Sequence, residues 1–247
     1  MPESARETET STSENTKNRS FDFQAGEVLL VDKPLDWTSF DVVNKIRGIL
    51  HIKKIGHAGT LDPKATGLLI ICTGNKTKSI AEFTGDEKEY EGVMELGAVT
   101  PSFDTETEVS ERKNCSQLTD KEIYRVARSL EGFQLQTPPM YSALKYGGKP
   151  LYSYARKGKT LPRMPREISV TSFDIVKISL PFVNFRIVCS KGTYIRSLVD
   201  ECGRRLGCGA YVKDLRRTRI GKFRVIDALR IEDLAVLRTS GHPYGSN

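Results

Sequence analysis

Residues 56–72, Gly-His-Ala-Gly-Thr-Leu-Asp-Pro-Lys-Ala-Thr-Gly-Leu-Leu-Ile-Ile-Cys, join a loop punctuated by glycine and proline to a short apolar run. The apolar residues 68–72 predict a buried strand, because a short apolar run bounded by turn signals is typical of one. In the loop 53–66, Pro63 fixes its own φ and pushes Asp62 towards an extended conformation. The stretch predicts a stiff loop that displays one carboxylate, although an Asp-Pro dipeptide alone is most often only a turn.

Short strands and helices surround this stretch in an irregular order. Thr38 and Asp41 resemble a capping box, and apolar residues follow at helical spacing to about residue 51. Strands are predicted at 27–31, 90–96, 167–178 and 182–189, with a turn at Leu180-Pro181, and further helices at 120–130, 193–206 and 231–237. Because no regular βαβ rhythm is present, the pattern predicts an α+β fold.

The composition excludes several classes of protein. The chain has 247 residues, of which 38% are hydrophobic and 28% are charged, as in ordinary folded domains. No apolar run approaches the roughly 20 residues that span a bilayer, and residues 1–20 lack the apolar segment of a secretory signal. The five cysteines form no C-x-x-C pair, and no phosphate-binding glycine motif is present. We therefore expect a cytoplasmic protein with no membrane association, metal site, disulfide or nucleotide cofactor.

Positive charge is concentrated in two parts of the chain, within a net charge of +7. The first basic stretch, residues 141–167, holds seven Lys or Arg against one acidic residue, together with four tyrosines. The second basic stretch, residues 186–230, holds twelve against four, whereas residues 82–111 are acidic. This separation favours a polyanionic partner on one side of the molecule, with solvated helix faces as the alternative.

Several further motifs occur in a fixed order along the chain. They are Val31-Asp32-Lys33-Pro34, the loop 56–67, Tyr90 with Leu96-Gly97, and the segments 136–145, 151–156, 191–198, 206–210 and 215–218. Together they resemble the motifs of the TruB family of tRNA pseudouridine synthases over residues 26–238. Turn chemistry does not explain a match of this extent.

The resemblance implies a fold, an activity and a partner. The fold is the pseudouridine synthase fold, a mixed and mostly antiparallel sheet flanked by helices and loops. The activity is isomerisation of uridine 55 in the T loop of tRNA to pseudouridine, which needs no cofactor because nothing is oxidised and no group is carried. We expect a monomer with a disordered tail at residues 1–22, a catalytic domain at 23–238 and a C-terminal tail at 239–247.

The resemblance also implies site residues. Asp62 falls on the family's catalytic aspartate, Arg196 pairs with that carboxylate, and Tyr90 lies against the target base. A guanidinium beside a carboxylate favours the ionised carboxylate. Whether the aspartate attacks ribose or base or removes a proton, and whether Tyr90 stacks or acts as a base, stays open. The remaining substrate-binding and supporting positions are His57, Tyr194, the backbone at Leu215, and Lys33.

Each of these residues also has an ordinary structural interpretation. Without the family context, Arg196 reads as an exposed helix residue, Tyr90 as core and His57 as a loop histidine. Residues 35–37 and Glu106-Thr107 depart from the family, which usually has glycine there, and we expect the family's small C-terminal RNA-binding domain to be absent or vestigial. Two other functions remain: a non-catalytic module that binds or folds tRNA, and a relative that uses a guide RNA.

Overall fold

Residues 21–234 are the part of the chain that the computed structural model describes, and nine of their strands form one mixed sheet. The strands are β1 (Val28–Lys33), β2 (Ile55–Ala58), β3 (Ala65–Thr73), β4 (Lys88–Leu96), β5 (Ala98–Val99), β6 (Glu111–Arg112), β7 (Gly132–Gln136), β8 (Lys145–Tyr146), β9 (Lys149–Pro150), β10 (Arg166–Ser179), β11 (Phe182–Cys189), β12 (Ala210–Ile220) and β13 (Phe223–Arg224). The helices are α1 (Ser39–Leu50), α2 (Ile80–Gly85), α3 (Asp120–Arg128), α4 (Leu151–Ala155) and α5 (Ile195–Arg205), with 3₁₀ turns at Gly74–Ser79 and Val225–Asp227.

The large sheet has the strand order β1-β3-β12-β4-β11-β10-β7, with β2 paired to β3 and β13 paired to β12. Within the sheet, β3 and β12 run parallel, and the other paired strands run antiparallel. The strands β5–β6 and β8–β9 form two separate hairpins. The predicted α+β fold with a mostly antiparallel sheet is therefore confirmed.

Helix α1 shows why local sequence predicts some elements well. The Thr38 side chain accepts from the Asp41 backbone N–H, and the Asp41 side chain accepts from Thr38 in return. His51 ends the helix in the left-handed conformation with a φ of 50°. The predicted capping box and helix end are thus both present. The strand predicted at 182–189 is found with the same limits, and those at 90–96 and 167–178 extend by one or two residues.

The sequence did not predict two of the strands that build the site. Strand β2 lies inside the predicted loop 53–66, and β12 crosses the middle of the sheet. β12 contains Lys213 and three arginines, so it lacks the apolar alternation by which strands are recognised. Its arginines instead reach acceptors on both faces of the sheet: Arg217 binds backbone carbonyls, whereas Arg216 binds the Asp32 carboxylate. Contacts with other strands, and not a local pattern of apolar residues, therefore determine that this segment forms a strand.

Three apolar cores pack against the sheet. The first and largest packs α3 and α5 against β4, β10, β11 and β12, the second packs α1 against β1 and β3, and the third joins residues of β2, β3 and the end of β12. Phe21 stacks on Phe23 with ring centroids 5.4 Å apart and packs against the second core, so the folded part begins before the predicted residue 23. The rest of the predicted tails lies outside the described residues, as does the helix predicted at 231–237 beyond Leu234. None of the described helices combines the length and apolarity needed to cross a membrane.

Candidate active site

Asp62 lies in the turn between β2 and β3, and the start of α1 holds this turn in place. The backbone N–H of Leu61 donates to Ser39 Oγ at 2.9 Å, and the Ser39 hydroxyl lies 3.2 Å from the Leu61 carbonyl oxygen. The Ala65 N–H donates to the Asp62 carbonyl oxygen at 3.1 Å, which closes the turn. Asp62 is therefore displayed from a loop whose backbone groups are already satisfied, as the sequence predicted.

Lys33 supports this loop from behind. Its ammonium donates to the carbonyl oxygens of Pro34 at 2.8 Å, Trp37 at 2.7 Å and Pro63 at 3.4 Å, and the residue is 0% exposed. Burial lowers the pKa of Lys33 to about 8, although the negative charge of Asp62 opposes the shift. Lys33 does not line the cleft that contains Asp62, so the structure places it as a support and not as a group facing a substrate.

The turn after Lys33-Pro34 contains a residue in the left-handed conformation although it lacks the glycine expected there. Asp36 adopts a φ of +63°, in the left-handed region that favours glycine and that aspartate tolerates better than most residues. Its N–H donates to the Pro63 carbonyl oxygen at 2.9 Å, and its carboxylate binds Lys64 at 2.7 Å. The departure from the family pattern is therefore accommodated by an aspartate that also ties the turn to the Asp62 loop.

Arg196 sits at the start of α5 and is 3% exposed. Its Nε lies 2.9 Å from Asp62 Oδ2, although 134 residues separate the two in sequence. Its terminal nitrogens donate to the carbonyl oxygens of Ser102 at 2.8 Å and Tyr141 at 2.7 Å. The guanidinium is thus held on three sides, and it fixes one oxygen of the Asp62 carboxylate.

A second carboxylate, which the sequence analysis did not select, also binds this guanidinium. Asp104 Oδ2 lies 3.4 Å from Arg196 Nε, and Asp104 Oδ1 accepts from the Glu106 N–H at 2.9 Å. Burial raises the pKa of Asp104, while Arg196 opposes the rise. The Asp62 side chain is 35% exposed and that of Asp104 only 5%, so Asp62 is the carboxylate that a substrate can reach. The available sequence signal for Asp104 was its place two residues before Glu106, where the chain departs from the family pattern.

Tyr90 lies on β4 directly opposite Arg217 of β12, so that both side chains project from one face of the sheet. Burial raises the pKa of the Tyr90 phenol, and the charge and a hydrogen bond of Arg217 oppose the rise. The Arg217 guanidinium in turn binds the carbonyl oxygens of Leu68, Gly59 and Thr60. Tyr90 therefore rests against a cation that also holds the start of the Asp62 loop.

Three other predicted residues, His57, Tyr194 and Leu215, lie on different elements around the cleft that contains Asp62. His57 lies on β2, where burial and the charge of Arg217 lower its pKa. The backbone of Tyr194 is held by the side-chain amide of Gln136, through bonds of 2.8 and 3.0 Å, and burial raises the pKa of its phenol. Leu215 lies on β12, paired with Ala65 of β3 on one side.

These positions enclose one cleft of about 510 Å³. Such a volume lies within the usual range for small-molecule sites, and it is ample for a pyrimidine base. In residues 21–234, no group of three or more His, Cys, Asp or Glu side chains is arranged to hold a metal ion. The predicted residues that line the cleft are Asp62, Arg196, Tyr90, His57, Tyr194 and Leu215; Arg217, which was not predicted, lines it as well.

Comparison with known proteins shows the family to which the chain belongs. The model of the TruB family pseudouridylate synthase N-terminal domain matches residues 47–195, which is more than half of the chain. This chain belongs to the TruB family. A second model, of the tRNA pseudouridylate synthase B C-terminal domain, matches residues 196–241. The two matched segments meet at Arg196, whose bond to Asp62 links them within one cleft.

Curated relatives cover most of this TruB chain. A tRNA pseudouridine synthase B of Chlorobium chlorochromatii is 49% identical over 213 residues, 84% of this chain and 84% of that protein. A protein of the same name from Flavobacterium johnsoniae is 45% identical over 85% of this chain and 95% of its own length. These proteins are similar to our chain over most of their own length, 84% and 95% respectively.

A solved structure, that of a Cbf5-Nop10-Gar1 complex, contains a chain with a similar fold. It superposes with a TM-score of 0.68 at 32% identity, over 87% of this chain. Our TruB chain spans 54% of the length of that chain. The pseudouridine synthase fold expected from the sequence is therefore present.

Proposed function

We propose that this protein isomerises uridine 55 in the T loop of tRNA to pseudouridine, with Asp62 as the nucleophile. The observation that carries the proposal is the Asp62–Arg196 pair, 2.9 Å apart, in a cleft shared with the ring of Tyr90. The relatives named tRNA pseudouridine synthase B support tRNA as the substrate. A protein that only binds RNA has no need of a half-exposed carboxylate fixed by a buried guanidinium.

The proposed reaction moves one glycosidic bond without changing the composition of the nucleotide. The bond from ribose C1′ to N1 of uracil breaks, and its electron pair stays on the detached base. The base turns, C5 bonds to C1′, the proton of C5 is removed, and N1 gains a proton. Asp62 Oδ1 is not the oxygen bound by Arg196 Nε, so in this proposal it bonds to ribose C1′ as N1 leaves, and that C1′–O bond breaks when C5 bonds to C1′. Tyr90 limits the escape of the base while it is detached.

The target uridine must first leave its stack in the T loop, at a cost of a few kcal/mol. His57, Tyr194 and the backbone at Leu215 supply contacts that offset this cost inside the cleft. Outside it, lysines of the first basic stretch are exposed and supply phosphate contacts. In this proposal, stacking and charge contacts between the RNA and the protein replace the stacking that the uridine loses within the RNA.

A guide-RNA-dependent activity is the second candidate. It is favoured by the similarity to a chain of the Cbf5-Nop10-Gar1 complex and to a chain in the structure of an H/ACA RNP bound to a substrate RNA, which is 29% identical over 87% of this chain. The relatives named tRNA pseudouridine synthase B are more similar, at 45–49% identity. Direct action on tRNA is therefore the stronger proposal.

The deciding experiment incubates the purified protein with unmodified tRNA and maps pseudouridine at nucleotide resolution. We expect product at position 55 without any added guide RNA or cofactor. Asp62→Asn should abolish turnover while leaving the protein folded and most of the tRNA affinity unchanged. The matched control is Asp174→Asn, which loses an exposed ion pair with Arg186 on β10–β11 and should retain full activity.

Each alternative has its own signature in this assay. Tight binding of tRNA without product favours the non-catalytic binding module. Product that appears only when a guide RNA is added favours the second candidate. Conversion by the Asp62→Asn variant shows that another group acts as the nucleophile.

A further inference from the structure

The cleft contains two buried arginines whose charges are compensated very differently. Arg196 is bound by the carboxylates of Asp62 and Asp104. Arg217 is 1% exposed, and within residues 21–234 no carboxylate oxygen lies within 4 Å of its guanidinium. Burying a cation is costly unless it is paired or fully hydrogen-bonded, so a lone buried guanidinium needs an explanation.

Backbone carbonyls are what hold Arg217. Its Nε donates to the Leu68 carbonyl oxygen at 2.8 Å, and its terminal nitrogens donate to those of Gly59 at 3.1 Å and Thr60 at 3.4 Å. Carbonyl groups satisfy the donors but leave the net positive charge in place. Because the acceptors belong to β3 and to the segment leading to Asp62, the guanidinium also fixes this part of the cleft floor.

The charge of Arg217 reaches the groups around it. It contributes to the lowered pKa of His57 and Lys88, after burial as the main cause in both, and it opposes the raised pKa of Tyr90. Arg217 and Tyr90 are direct cross-strand partners, and both line the cleft. The floor beneath the proposed base position is therefore electropositive before any substrate binds.

We propose that Arg217 is a positioning residue that holds Tyr90 and the Gly59–Thr60 backbone and places an uncompensated positive charge beneath the uracil. This inference rests on the proposed function. When the C1′–N1 bond breaks, the electron pair stays on the base, which becomes an anion until C5 rejoins C1′. A fixed charge in a site with little water stabilises such an anion far more than a solvated charge would. Arg196 cannot replace it, since two carboxylates already neutralise that guanidinium.

The test compares Arg217→Met, which removes the charge, with Arg217→Lys, which keeps it. Single-turnover rates are measured on tRNA carrying uridine or 5-fluorouridine at the target position. Fluorine withdraws electrons and makes the detached base a more stable anion. We follow loss of the original nucleoside, because C5 of the fluorinated base has no proton to lose. The matched control is Arg216→Met, the neighbouring residue on β12, whose side chain binds Asp32 and does not line the cleft.

We expect Arg217→Met to slow the reaction of uridine by about 10²–10³-fold, as for the loss of one preorganised charge contact. With 5-fluorouridine the loss should be at least about tenfold smaller, because that base needs less stabilisation. Arg217→Lys should lose less on uridine than Arg217→Met, and tRNA affinity should change little in both. A residue that only maintained the fold would slow both substrates by the same factor.

Equal losses on the two substrates would overturn the role of Arg217 while leaving the proposed function intact. If Arg217→Met does not fold at the assay temperature, the same comparison of substrates in Arg217→Lys decides, since its ammonium is displaced from the guanidinium position. Failure of the wild-type protein to convert uridine would instead overturn the proposed function itself.

Discussion

The two basic stretches have the same density of positive residues but use them differently. In both, about one residue in four is Lys or Arg. In the second basic stretch, seven of the twelve cations are paired with carboxylates and Arg217 is bound to carbonyls: the paired ones are Arg186, Arg196, Arg204, Arg205, Lys213, Arg216 and Arg219. In the first basic stretch, the described structure pairs only Arg156, with Glu106, and leaves the other six without a carboxylate.

The difference teaches that a count of charges along a sequence does not measure what a polyanion meets. Most cations in β12 and α5 are paired, either with groups on neighbouring strands and loops or with carboxylates of the same helix. The lysines of the β8–β9 hairpin and of the segment after α4, namely Lys145, Lys149, Lys157 and Lys159, remain exposed. We therefore expect the second basic stretch to act in stability and chemistry, and the first to act in RNA affinity.

The largest effect should come from Arg196→Ala in the second basic stretch. The variant leaves the carboxylates of Asp62 and Asp104 without their common partner, and one of them is buried. Removing one side of a buried ion pair costs about 3–5 kcal/mol. Urea unfolding should show this loss, and turnover should disappear. Arg204→Ala, at an exposed residue, is the control. Equal losses of stability in the two variants would show that the ion pairs of Arg196 with Asp62 and Asp104 stabilise the fold no more than an exposed pair does.

The next largest effect should separate the two stretches by RNA affinity. Lys157→Ala with Lys159→Ala removes two unpaired cations, and Arg204→Ala with Arg205→Ala removes two paired ones. The first variant should lose about tenfold in tRNA affinity at low salt, and each lost phosphate contact should reduce the log–log salt slope by about 0.7–0.9. The second should lose less than about threefold. Filter binding at several salt concentrations measures both variants. Equal losses would show that tRNA affinity follows the total charge and not the number of unpaired cations.

Lys33 allows the cost of burying a cation that is bound only by carbonyl oxygens to be measured through the pH dependence of stability. Its folded pKa of about 8 lies below the unfolded value of 10.5, so between these pH values the unfolded chain binds more protons at this site. The contribution of Lys33 should therefore increase the free energy of unfolding as pH rises from 8 towards 10.5, by at most about 1.4 kcal/mol per pH unit. Urea unfolding of Lys33→Met should lack this contribution. If the free energy of unfolding depended on pH in the same way in the wild type and in the variant, burial of the Lys33 ammonium would be contradicted.

The smallest effect concerns the one paired cation of the first basic stretch. Arg156 binds Glu106 at 2.7 Å in a largely exposed ion pair, and its guanidinium lies 5.3 Å from the ring centre of Tyr152. Such pairs contribute at most about 1 kcal/mol. Glu106→Gln should free Arg156 and raise tRNA affinity by up to about fivefold at low salt, with no gain at high salt. Reduced affinity at low salt would show that the pair orders the hairpin for binding.

Local signals predicted those elements that local interactions stabilise. The capping box at Thr38 and the alternation in 182–189 each depend on residues close in sequence, and both elements are present. Strand β12 escaped prediction because its charged side chains find acceptors on other strands. Asp104 and Arg217 escaped for the same reason, since a sequence does not distinguish a charge that will be buried from one that will stay in water.

By itself the sequence determined the stiff turn that displays Asp62, because Pro63 and the neighbouring glycines restrict the backbone without help from distant residues. It also determined the α+β class through the spacing of apolar residues. Only the tertiary structure decided that Arg196 reaches Asp62, that Asp104 shares it, and that Arg217 keeps its charge uncompensated. The physical reason is that a side chain's charge acts over a few ångströms, whereas these partners lie roughly 90 residues or more apart, and only the packing of β12, α5 and the loops around the cleft brings them within that range.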